Sequence, residues 1–282
     1  MDKEVFWNSI KNLKFSLFLP DTYFLFIELV LGFLLFKYTG IMTLLTNPEF
    51  IAASIEQKIP ILRLFISENI LALLLYLSLF ALTSFILGSS LNSMRFGMIR
   101  DVVLGNKYSF RQVLDYGVRF WPIVAVRLVI FLLGIITFLF IFGCYSILSY
   151  YYPTTVTLFI VTILVLASVF LLKLLFLFTY AIMFFNQNGA LASVKNSFVY
   201  FFRNKWHVLK VFLVIIIFSF VLLPFEIMFN YYQGAFGLLS FYTILFFVVR
   251  SLAATFYTVW SEVLIFYSYA SRMSSPSSPS QQ

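Results

Sequence analysis

Apolar residues fill this chain in six long runs, and polar residues gather in a few short breaks between them. A helix needs about 20 mostly apolar residues to cross a bilayer core at about 1.5 Å of rise per residue. Six stretches reach that length, at roughly 21–45, 68–93, 122–148, 154–185, 208–230 and 238–270. The pattern predicts an all-α polytopic integral membrane protein, its six transmembrane helices arranged as three hairpins with amphipathic helices on the cytoplasmic face. The last run is long enough to tilt or to continue as helix beyond the bilayer. The expected organisation is one transmembrane domain over 1–273 and a Ser/Pro-rich tail over 274–282, disordered by its composition.

The longest polar break is 105–122, GNKYSFRQVLDYGVRFWP. Phe110, Val113, Leu114, Gly117, Phe120 and Trp121 recur at three- and four-residue steps, which share one face of a helix. Arg111, Asp115 and Arg119 recur at the same step on the opposite face. Ser109 is placed to cap the first turn. Aromatics on one side and arginines on the other predict a helix lying in the headgroup plane. The alternative is a cytosolic loop helix packed on the protein.

A second surface helix is expected over 47–59, where Asn47 can cap, Pro48 suits the first helical position and Glu49 favours the positive end of the dipole. Phe50, Ile51, Ile55 and Ile59 would line its face, with Pro60 ending it. In the second run, Ala81, Ser84, Gly88 and Asn92 share a face and, with Ser89 and Ser93, permit close helix approach. Ordinary packing or a substrate groove would both use such a face.

Composition places the chain in lipid. It is 62% hydrophobic and only 11% charged, with a mean hydropathy of +0.99, so it could not cover itself with polar surface in water. The net charge of +8 would suggest nucleic acid in a soluble protein. Here the basic residues cluster beside the spans, so anionic lipid headgroups are the expected partner and no nucleic acid is. With both termini inside, Lys3, Lys11, Lys14, Arg95, Arg100, Lys107, Arg111, Arg119, Lys195, Arg203, Lys205, Lys210 and Arg272 fall on the cytoplasmic side. Lys58 and Arg63 fall outside, with Lys37 near the outer end of the first span. That asymmetry predicts a multi-pass protein of the cell membrane with cytoplasmic ends. Tyr150–Tyr152 and Tyr231–Tyr232 crowd the outer ends, and Trp121 and Trp206 mark the inner ones. The first apolar run follows several charges and is too long for a signal peptide core. The single cysteine, Cys144, excludes an intramolecular disulfide.

Three strings align by type: Ser9-Ile10-Lys11-Asn12, Ser109-Phe110-Arg111-Gln112 and Ser193-Val194-Lys195-Asn196. Each stands shortly before a span-initiating Pro20, Pro122 or Trp206. They predict three parallel pseudo-repeats, at about 1–93, 94–185 and 186–273, related about an axis along the membrane normal. In this layout, and in its segments 105–121 and 189–206, the chain resembles the membrane domain found with glycerophosphoryl-diester phosphodiesterases and related prokaryotic six-span proteins. The resemblance implies a membrane fold; no soluble phosphodiesterase domain accompanies it here, so neither that activity nor any functional residue transfers.

No phosphate loop, zinc helix, nucleophile elbow or intramembrane aspartyl protease pair occurs. The one histidine, His207, lies beside Trp206 with no triad or metal partners. The chain is therefore expected not to be an enzyme and to need no cofactor or metal. Charges inside spans remain as candidates, because lipid makes them costly. Glu28, Arg127 and Glu262 share an inner depth, which allows Arg127 to be held by one or both glutamates. Lys173 and Arg250 lie nearer the midplane without an acidic residue at that depth, and Glu226 lies near the outer end of the fifth span. Arg111, Arg119, Lys195 and Arg203 are the headgroup candidates. The leading expectation is a non-catalytic scaffold or accessory subunit engaging anionic lipid, together with a partner protein or a second copy. The alternative is a transporter or channel for a lipid-like or small anionic substrate, using Lys173 and Arg250.

Overall fold

The computed structural model describes residues 3–236 and 241–273, and every regular element among them is helical. In order these are α1 (Lys3–Lys11), α2 (Leu19–Tyr38), α3 (Ile41–Thr46), α4 (Pro48–Ala52), α5 (Ile55–Val103), α6 (Phe110–Val118), α7 (Trp121–Tyr151), α8 (Thr154–Phe176), α9 (Thr179–Asn186), α10 (Ala190–Arg203), α11 (Lys205–Ser219), α12 (Leu223–Phe236) and α13 (Phe241–Met273), with 3-10 turns at Phe15–Phe18 and Phe220–Leu222. Six helical stretches, Phe15–Tyr38, Glu56–Val103, Trp121–Tyr151, Thr154–Asn186, Lys205–Tyr232 and Phe241–Met273, are long and apolar enough to cross a membrane. The chain is an all-α, multi-pass membrane protein. The tail at 274–282 and the expected start of the sixth span at 238–240 lie outside the described residues.

Several element ends differ from the hydropathy pattern, each for a local reason. Ser54 and Gln57 form reciprocal side-chain to backbone bonds of 3.4 and 3.1 Å, a capping box that starts α5 at Ile55. Pro60 therefore stands inside α5 and does not end a surface helix. A proline crowds the carbonyl four residues back; here that is Glu56, in the exposed first turn, where a carbonyl can tilt outward. The surface helix before it is α4 alone, capped by Asn47, whose side chain accepts from the Glu49 N–H at 2.9 Å. At its other end α5 runs past Ser93 to Val103. It closes with Gly105 at φ 75° and bonds from Gly105 N to Val102 O and from Asn106 N to Asp101 O of 3.1 and 2.8 Å. This Schellman end needs the left-handed backbone that glycine adopts freely. The fifth span is interrupted at Phe220–Leu222, where Pro224 crowds the Phe220 carbonyl. The fourth breaks after Phe176, and the Ser197 hydroxyl of α10 donates to the Leu175 carbonyl at 2.7 Å.

The helices group into two compact units, one of Leu19–Asn92 and one of Met1–Phe18 with Ser93–Gln282. In the first, α2, α3 and α4 pack in succession, Tyr38 stacks on Tyr76 at 5.8 Å, and most apolar side chains are exposed, as suits helices solvated by lipid. In the second, α7 and α8 form a hairpin through Tyr152 and Pro153, α12 packs on α13, α1 lies along α13, and α10 touches α7, α8 and α9. Its core collects at one end. Ile99, Ile123, Val126, Phe178, Val208, Val263 and Phe266 are fully buried there, while Phe138, Phe142 and Phe159 toward the Tyr152–Pro153 turn are exposed.

Candidate functional site

α6 is held by the last turns of α5. Ser93 donates to the Tyr116 carbonyl at 2.6 Å. The Tyr116 hydroxyl donates to Asp101 Oδ2 at 2.7 Å and accepts from Arg100 at 2.8 Å, and Arg100 reaches Asp101 Oδ1 at 2.9 Å. Gly97 lets the two helices meet: a Cβ there would stand 2.1 Å from the Tyr116 ring. Burial, then the bond to Asp101, holds the Tyr116 proton above the usual tyrosine range. Ser109 caps α6 with a full capping box, its partner being Gln112. The Ser16 and Tyr108 hydroxyls also pair, fixing the approach to this helix.

So anchored, α6 leaves Phe110, Leu114 and Val118 exposed, with Trp121 continuing the stripe. Arg111, Asp115 and Arg119 are exposed beside it. In α10, Ser193, Val194 and Ser197 are buried, while Leu191, Val199 and Phe202 are exposed with Lys195 and Arg203 among them and Trp206 just beyond. Leu191, Lys195, Val199, Phe202 and Arg203 line an open groove with Val194 and Phe198. The aligned serines do two different jobs, a cap at Ser109 and a bond back to the preceding turn at Ser9 and Ser193. Ser9 donates to Phe6 O at 2.6 Å within α1, Ser109 caps α6, and Ser193 donates to Gly189 O at 2.9 Å within α10.

The span charges are organised differently from their expected depths. Glu262 is paired with Arg95 of α5, at 2.6 Å, with the side chains only 5% and 17% exposed. Arg95, placed by the sequence on the cytoplasmic side just beyond the second run, is a buried residue of α5, and it lies 5.6 Å from the Phe96 ring. Arg127 hydrogen-bonds to the Tyr180 hydroxyl, with the Glu262 carboxylate within electrostatic reach of that hydroxyl. Arg250, expected to lack an acid at its depth, bonds Glu226 at 2.7 Å and lies 5.0 Å from the Phe229 ring. Arg250 lies about 14 Å along α13 from Phe241, level with Glu226 of α12. Lys173 likewise has an acid nearby: it and Glu262 line one cavity of about 400 Å³ with Tyr180. Glu28 lies on α2, partly buried, in the other unit. His207 meets the Ser268 hydroxyl at 2.8 Å, joining α11 to α13.

Arg95, Asp101, Tyr116 and Tyr180 were not singled out from sequence. The available signal was Ser93 and Gly97 at a four-residue step, a small-residue face that continues to Arg100 and Asp101. No protein-family model, curated protein or solved structure matches the chain.

Proposed function

We propose that this protein is a non-catalytic scaffold or accessory subunit of the cell membrane that engages anionic lipid headgroups through α6 and α10. The carrying observation is the exposed apolar stripe on each helix, Phe110–Leu114–Val118 and Leu191–Val199–Phe202, with exposed Arg111, Arg119, Lys195 and Arg203 alongside. Such stripes are costly in water and favourable at the acyl boundary, where the long basic stems lift their charges to the phosphates. Both helices lead directly into spans, α7 and α11. The excess of basic residues on this side supports a cytoplasmic position for this face and for both termini. A layout resembling the phosphodiesterase-associated membrane domain suits a part that serves other proteins. The exposed face would then also receive a protein partner or a second copy. Transport through Arg250 is less favoured, since Glu226 already neutralises it.

The experiment is native mass spectrometry of the purified protein with lipid, at several salt concentrations. Neutralising Arg111, Arg119, Lys195 and Arg203 together is expected to abolish most salt-dependent enrichment of anionic lipid, each residue contributing about 1 kcal/mol. Neutralising Lys58 and Arg63 is expected to matter much less. Equal retention in the quadruple variant and the wild type would reject the proposal.

A further inference from the structure

The charged cluster opens onto an apolar track. The cavity bearing Lys173, Tyr180 and Glu262 is also walled by Val169 and Leu172. A second cavity, of about 360 Å³, lies between α7 and α8 and shares those two walls, reaching Gly134, Tyr145 and Val161. The two cavities adjoin at Val169 and Leu172, and together they make a track from a polar end at Lys173 along the apolar walls of the α7–α8 hairpin. From Leu172 to Val161 it follows α8 for about 16 Å, close to half of a bilayer core of about 30 Å. Lys173 itself stands about 28 Å along α8 from Thr154. Measured from Thr154, beside Tyr150–Tyr152, that is close to the full thickness of a bilayer core of about 30 Å, a headgroup depth and not the midplane expected from hydropathy.

At the polar end Lys173 and Glu262 line the cavity, and neither Arg95 nor Arg127 does. That carboxylate would repel an anion, but it is tied to Arg95 at 2.6 Å. Arg127 is bonded to Tyr180, which itself lines the cavity. Among the described residues Lys173 makes no ion pair or side-chain hydrogen bond, and its side chain is exposed. An ammonium group at the mouth of an apolar track one leaflet long calls for an anion with a tail.

We infer that this crevice seats one anionic glycerophospholipid from the Lys173-side leaflet, its phosphate on Lys173 and one acyl chain between α7 and α8. This goes beyond the headgroup reading of α6 and α10 and stands without it. A basic surface gathers many lipids loosely; the crevice selects one by charge and shape together. A free phosphate could use Lys173 but gains nothing from the track.

The test offers the purified full chain equal amounts of phosphatidylglycerol and phosphatidylcholine and reads bound lipid by native mass spectrometry. One phosphatidylglycerol per chain is expected to persist. Lys173→Met, which alters only an exposed side chain and should keep the wild-type melting temperature, is expected to lower the phosphatidylglycerol preference about five-fold. Ser168→Trp, on the crevice wall, is expected to lose the retained lipid of either kind. Excess glycerol 3-phosphate is expected to displace nothing. The quadruple variant of α6 and α10 is expected to keep this one lipid, so the two proposals fail separately. An unchanged preference in Lys173→Met, a wild-type lipid count in a folded Ser168→Trp, or displacement by glycerol 3-phosphate would each overturn the inference. Lys173→Met decides alone should Ser168→Trp fail to fold.

Discussion

Arg95 and Glu262 meet at 2.6 Å between α5 and α13, in an environment that exposes only 5% and 17% of their side chains. Two buried charges in contact offset each other's desolvation, and removing one strands the other. Arg95→Met or Glu262→Gln alone is expected to destabilise the protein by about 3–5 kcal/mol. The double variant Arg95→Met/Glu262→Met should recover much of that loss. Thermal melting in detergent checks this; additive losses in the double variant would show that the pair is not a unit.

The approach of α6 to α5 rests on a missing side chain. A Cβ at Gly97 would sit 2.1 Å from Cδ2 of Tyr116, whose hydroxyl is pinned by Asp101 and Arg100. The ring cannot swing aside without breaking that network. Gly97→Ala is therefore expected to cost about 1–3 kcal/mol. Gly134→Ala, in α7 with nothing within 4 Å of the added carbon, is expected to be neutral or stabilising through helix propensity. Melting temperatures of the two variants give the comparison.

Alkaline pH probes α10. The Tyr200 hydroxyl is buried without a hydrogen-bond partner among the described residues, against the rings of Phe178 and Tyr269 at 4.9 and 5.3 Å. Burial is the main cause that holds its proton well above the ordinary value of 10. The raised value means the unfolded chain ionises first. The stability linked to this group is complete below about pH 10 and is lost as pH rises from there through the folded value. Tyr200→Phe is expected to change little at pH 8 and to flatten the fall in melting temperature toward pH 11. A fall as steep as in the wild type would assign the alkaline loss to other groups.

The spans were legible because lipid solvation leaves its mark on composition alone: long apolar runs needed no knowledge of partners. The Ser109 cap was legible too, since a capping box is local in sequence. Arg95 was not. Its run of small and polar neighbours, Asn92 to Met98, reads as the end of a span, yet α5 stays helical because Ser93 and Gly97 face α6. Pairing by depth also misled. It missed Arg95 as a partner of Glu262, and it left Arg250 alone although Glu226 lies beside it. Depth depends on where helices break, and the interruptions at Phe220–Leu222 and after Phe176 are set by Pro224 and by tertiary contacts such as Ser197 to Leu175. The three serine strings look alike as sequence but differ in role, because a cap and a helix-interior hydroxyl are told apart only by the backbone.

The membrane depth of α6 and α10 tests the headgroup role of these helices most directly. Single spin labels at Phe110, Val118, Leu191 and Phe202, all exposed, would be compared with labels at Asp115 and Asn196 in bilayer nanodiscs containing phosphatidylglycerol and a Cys144→Ala background. The four apolar positions are expected to be more accessible to oxygen than to a water-soluble nickel complex, and the two polar positions to show the reverse. Equal, high nickel accessibility at all six positions would contradict that role, because α6 and α10 would then stand in water rather than in the headgroup layer.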